Sequence, residues 1–185
     1  VSITSKVIQA SAVLLKEHGQ QMSRLRLLKL LYMADRESIR QTGHPITLTT
    51  PVAMDNGPLS SEVYDFIKSE HAESEKWSRY FNNKGIYVRM LADPGVQELS
   101  RFEIQTLKRI AAEHEDIDDD LLVEKCHKFQ EWIKNAVPGS SKKIPFADIM
   151  DAVDFPQAER AESLSELDEI VKLEKMRPSN ELLAR

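Results

Sequence analysis

The sequence predicts a mainly α (α+β) protein, a compact multi-helix domain with a small two- to three-stranded antiparallel sheet. Three observations lead there. Apolar residues recur at helical spacing over 3–18 and 23–42. Only two short stretches read as strands, 46–54, which is rich in β-branched residues, and 85–91. Ser100 and Glu103 form a capping box ahead of a further periodic run. A chain of 185 residues can bury one proper core. Residues 1–155 are expected to form that domain, and 156–185 a charged helical appendage.

The first helix, 3–18, offers Val7, Ile8, Ala12, Leu14 and Leu15 to a core, and Gly19 ends it. The second, 23–42, is capped by Ser23 and stopped by Gly43. Leu25, Leu27, Leu28, Leu30, Leu31, Tyr32, Ala34 and Ile39 cover most of its circumference, as in a central helix packed on several sides. What remains is a narrow strip of Arg26, Lys29, Met33, Arg36 and Arg40, expected to face solvent and read as a second candidate docking stripe. Pro51 makes 46–54 an edge or bulged strand. Asn56-Gly57-Pro58 then reads as a sharp strand-to-helix corner, with Ser60 or Ser61 capping the next helix and Glu62 in its first turn. Residues 73–85 read as loop or broken helix. The strand at 85–91 is expected to pair with the one at 46–54, because two strands alone are marginal. The capping box opens a helix running to about His114, with Leu99 stapled onto Ile104. An acidic run over 113–120 reads as a solvated helix end or loop. Residues 121–136 follow as one helix or a pair, 138–141 as a loop and 145–153 as a short helix. In the tail, Ser163 and Glu166 suggest another capping box. Leu164, Leu167, Ile170 and Val171 give it a narrow seam fit for a tether or for homo-oligomer contacts.

Bulk properties narrow the function. A net charge of −5 and a pI near 5.6 argue against direct nucleic-acid binding. No apolar run is long enough to span a bilayer, and no signal-peptide pattern opens the chain, which begins at Val1. The single cysteine, Cys126, excludes an internal disulfide and fits a reducing, cytoplasmic setting.

Chemistry is sparse. Cys126-His127 is a poor nucleophile–base pair, because adjacent helical residues point about 100° apart; a buried structural thiol is the better reading. The five histidines lack metal-ligand spacing, the acidic run lacks the pattern of a calcium loop, and the six glycines form no phosphate-cradling loop. No cofactor or metal is expected. Trp132, Phe129 and Ile133 read as core at helical spacing, although a Trp near a surface also serves as an interface anchor. A small enzyme with a site assembled only in three dimensions stands as a minor alternative.

Taken in order, "LLKLLYMAD" (27–35), "TGHPI" (42–46), "VAMDNGPLSSEVY" (52–64) and "CHKFQEWIKNA" (126–136) resemble the Panacea domain family, the SocA-like antitoxin domains of bacterial and phage toxin–antitoxin systems. Lys29, Leu30, Leu31, Tyr32 and Ala34 match its first motif. Gly57, Pro58, Leu59, Glu62 and Tyr64 match its turn and helix start, and His127 and Trp132 its distal pair. Met54 stands where the family usually has Trp, Asn56 where an aromatic is common, and Cys126 where Thr often precedes the His. The resemblance implies a non-enzymatic antitoxin that neutralises a cognate toxin protein by direct binding. Some members act instead as adaptors that deliver a partner to a protease. The first candidate binding edge is then the strand, corner and helix start: Met54, Asp55, Asn56 and Pro58.

Overall fold

The computed structural model describes residues 2–176. The elements, in chain order, are α1 (Ile3–Glu17), β1 (Gln21–Ser23), α2 (Arg24–Thr42), β2 (Pro51–Met54), β3 (Gly57–Ser60), α3 (Ser61–Lys68), α4 (Ser74–Ser78), β4 (Phe81–Lys84), β5 (Tyr87–Met90), α5 (Arg101–Glu113), α6 (Asp119–Cys126), α7 (Gln130–Asn135), β6 (Lys142–Lys143), α8 (Phe146–Ala152) and α9 (Arg160–Lys175). The molecule is mainly helical with small antiparallel sheets, as the apolar periodicity requires.

Helix α2 is the axis. The Ser23 side chain accepts from the Arg26 amide, and Gly43 closes the helix in the left-handed region at φ 76°. Its flanks pack on α1, α5, α6, α8 and β3. Most of its apolar residues enter the larger core cluster, which runs from Val7 through Leu31 and Phe66 to Leu107 and Cys126. Tyr32 and Ile39 face a smaller cluster with Ile144, Met150, Phe155 and Leu167. The capping box at Ser100/Glu103 forms in full and starts α5. Asp35 accepts from the Thr47 amide at 2.9 Å and from its hydroxyl, which holds the 43–50 link against α2.

The strand pairing differs from expectation. The stretches at 46–54 and 85–91 do not pair with each other; each belongs to its own three-stranded sheet, ordered β3-β2-β6 and β1-β5-β4. The supposed corner is a hairpin. Met54 pairs with Gly57 across a two-residue turn, and three further pairs run down to Pro51 and Ser60. Both prolines had argued against a ladder, but they fall at harmless positions. The Ser61 amide donates to Thr50 O at 2.9 Å, which marks Pro51–Ser60 as a pair without mutual bonds. By alternation Ala53–Pro58 is another such pair, so neither position needs an N–H within the hairpin. Helix α3 then starts at once, with the Ser60 side chain accepting from the Val63 amide.

The polar-looking stretch 73–85 hides core. Trp77 stacks on Phe66 with ring centroids 5.5 Å apart and meets Phe81 at 4.3 Å. Its indole N–H donates to Asn83 Oδ1 at 3.1 Å, and the Asn83 amide group in turn caps the α3 carbonyls of Phe66 and Ile67. The tail corrects the capping expectation: α9 begins at Arg160 with Glu159 at its N-cap, so Ser163 lies inside the helix. Ser163 and Leu167 are buried, whereas Ile170 and Leu173 are exposed. Residues 177–185 of the expected appendage lie outside the described residues.

Candidate functional site

The sequence motifs converge on the β2–β3 hairpin. Its tip, Asp55–Asn56, is exposed, while Gly57 and Pro58 are buried. Gly57 takes φ +92°, a region that side chains resist, and an added Cβ would lie 3.1 Å from Cys126 Cβ and 3.3 Å from Lys29 Nζ. Three side chains then hold the tip by its carbonyls. Lys29 Nζ donates to Pro58 O at 2.9 Å, Trp132 Nε1 to Met54 O at 2.9 Å, and His127 Nε2 to Asp55 O at 3.0 Å. Since a carbonyl only accepts, the His127 proton toward it sits on Nε2. The His127 ring lies on Trp132 at 4.2 Å with 14° between planes. The Asp55 carboxylate accepts from the Gly139 amide at 2.9 Å, which binds the 138–141 loop to the same tip. Glu62 accepts from the Thr50 amide at 2.7 Å and its hydroxyl at 2.8 Å, closing the open end of the hairpin.

This geometry corrects the reading of the α2 strip. Arg26, Lys29 and Met33 are buried, at 7%, 1% and 4% exposure, and do not face solvent. The reason is that acceptors from elsewhere in the chain cover the strip. Arg26 pairs with Asp119 at 2.9 Å and donates to the carbonyls of His114 and Ile117. The acidic run is thus partly structural: Asp119 holds Arg26, and Asp118 caps α6. Arg36 reaches Glu131 at 2.7 Å and lies over the Phe129 ring at 4.3 Å. The Tyr32 hydroxyl donates to the same Glu131 oxygen at 3.0 Å. Arg40 alone of the strip is fully at the surface, paired with Glu37 at 2.7 Å. Pro58, expected at the binding edge, is likewise interior.

Burial sets the ionisation here. Desolvation lowers the Lys29 ammonium to about 8. It raises the Cys126 thiol to about 11, so the sulfur stays protonated and poorly nucleophilic near neutrality. Tyr32 is pushed well above its usual range by burial, with Glu131 adding to the effect.

Beside the clamped tip lies a groove of about 580 Å³. Met54, Asp55 and Asn56 form one side. The start of α2, the Tyr64–Lys68 face of α3 and the 139–141 loop form the others. Of the residues anticipated from sequence, Met54, Asp55, Asn56, Lys29 and Tyr64 meet at this groove; Arg26, Met33, Arg36 and Arg40 do not. Arg24, Leu25, Leu28 and Lys68 were missed, because nothing local distinguishes them from ordinary ends of amphipathic helices.

A family model described as "Antitoxin SocA-like, Panacea domain" matches residues 27–133. That span contains the hairpin and all three side chains that hold its tip. No curated protein and no solved structure matches the chain.

Proposed function

The chain belongs to the antitoxin SocA-like Panacea domain family, and from that premise we propose that it neutralises a cognate toxin by forming a stoichiometric protein–protein complex. The observation that carries the reading is the clamped hairpin. Three buried or half-buried donors are used to fix backbone carbonyls, which leaves an exposed tip rigidly placed beside a groove. Positioned loops on a stiff scaffold suit recognition. An inhibitory complex of this kind buries about 1,200–2,000 Å² in total. The test is co-expression with the product of the neighbouring reading frame. That product should arrest growth alone, become harmless with this chain, and co-elute with it in a fixed ratio. Toxicity undiminished by co-expression, or no complex between the purified proteins, overturns the reading.

An adaptor role, in which the bound partner is handed to a protease, rests on a different observation. Beyond its buried Leu167, α9 exposes Ile170 at 37% and Leu173 at 68%, an apolar end available for a tether or a second copy. Leu173→Asp should abolish protease-dependent loss of the toxin while leaving complex formation intact. If neutralisation persists in a protease-deficient host, delivery is unnecessary.

A further inference from the structure

We infer that the groove beside the hairpin tip is where the toxin docks, and that it takes a segment presenting an apolar side chain next to a carboxylate. This rests on the antitoxin reading and adds the face and the chemistry.

The walls are apolar, with Leu25, Leu28, Leu59 and Ile67 lining them. The charges around them are mostly cationic: Arg24, Lys29 and Lys68 against Asp55 alone. In a chain of net charge −5 that is a local inversion of sign. The one carboxylate, Asp55, is held at the hairpin tip by the Gly139 amide. Lys68 is partly offset by Glu70 at 2.8 Å. Arg24 is exposed and has no ion-pair or side-chain hydrogen-bond partner among the described residues. Lys29, buried at the base of the groove with its ammonium on Pro58 O, adds positive charge beneath the wall. A carboxylate entering beside Arg24 would meet an exposed cation without displacing an internal partner. Its apolar neighbour would meet the leucine-lined wall.

The face also extends. The Arg24 amide donates to Ile86 O at 2.8 Å, which ties the groove's rim to the turn between β4 and β5. There Ile86 and Tyr87 are 57% and 47% exposed. Apolar and aromatic side chains beside an unpaired Arg are the composition of an interface centre, and together they favour a protein segment over a small molecule.

The full chain is tested against the product of the neighbouring reading frame, with binding measured by calorimetry. Arg24→Glu sits at the first position of α2, where an acidic residue suits the helix dipole, so its melting temperature should match the wild type. Its affinity should fall about 30-fold or more, as for loss of a well-placed interfacial charge pair. Arg101→Glu, an exposed cation outside the groove, should change affinity less than about threefold. Overlapping peptides of the toxin should yield a binding segment with Asp or Glu beside an apolar residue. Changing that acid to its amide should weaken binding to wild type but not weaken Arg24→Glu further. Full-strength binding by Arg24→Glu overturns the groove assignment and leaves the antitoxin reading standing. A basic or purely apolar binding segment overturns the carboxylate chemistry. Absence of any complex with wild type removes both readings together.

Discussion

Helix α2 carries Lys29 into the interior beneath the hairpin, where the residue is 1% exposed. Lys29 hydrogen-bonds Pro58 O in place of a neighbouring strand, because β3 is the edge of its sheet and Pro58 turns its carbonyl away from β2. The charge is costly to bury. The folded-state value of about 8 lies below the ordinary 10.5, so between those values the unfolded chain binds more protons. Stability from this group therefore rises as pH climbs from 8 to 10.5, and its desolvation cost is present in full below 8. Lys29→Met removes that dependence and leaves Pro58 O unpaired, at about 1–3 kcal/mol. The unfolding free energy of wild type minus that of Lys29→Met should rise by about 3 kcal/mol across that window. A gap that stays flat in denaturant titrations at pH 7 and pH 10.5 would mean the amine is solvated. Charge reversal at Arg36 belongs to the same scale. Because its guanidinium serves the buried Glu131, Arg36→Glu should destabilise the fold by about 3 kcal/mol or more, the cost of breaking a buried pair. It cannot report on partner binding.

At the scale of elements, the hairpin with its clamp is the unit. Trp132→Phe keeps a ring for His127 to stack on but deletes the donor to Met54 O. The loss should be about 1–3 kcal/mol, together with faster amide exchange at Gly139, whose N–H depends on Asp55 staying in place. Unchanged exchange there would show that the tip does not need the clamp. Much of this unit was legible in sequence as residue identities: Gly57, Glu62, His127 and Trp132 were singled out, and each makes a defining contact. The hairpin itself was not. Gly57-Pro58 breaks a strand by local rules, and only the register shows that Pro58 occupies a position needing no donor. The α2 strip failed for a related reason. Helical periodicity locates a charged face, but it cannot say that His114 O, Asp119 and Glu131, from 88 to 95 residues away in sequence, return to cover it. The cap of α2, the Ser100/Glu103 box and the core of α1 were readable because each depends on neighbours within one or two turns.

At the scale of the whole molecule, α2 is shared between two apolar clusters, and α9 closes the smaller one. Gly43 ends α2 so close to α9 and the preceding loop that a Cβ there would meet Phe155 Cζ at 2.8 Å. His44 also faces Glu166 of α9 at 3.0 Å. A helix anchored in this way should share the unfolding transition of the main body. Leu167 and Leu173 separate docking from mere helicity, since one residue is 2% exposed and the other 68%. Leu167→Ala should cost about 2–4 kcal/mol, in one cooperative transition reported alike by far-UV dichroism and by tryptophan fluorescence. Leu173→Ala should stay within about 0.5 kcal/mol of wild type. Equal, small effects from the two would mean that α9 folds apart from the body, as a separable appendage would. A large effect confined to Leu167 would mean that α9 forms a wall of the smaller core. The adaptor question would then have to be put with surface substitutions on α9.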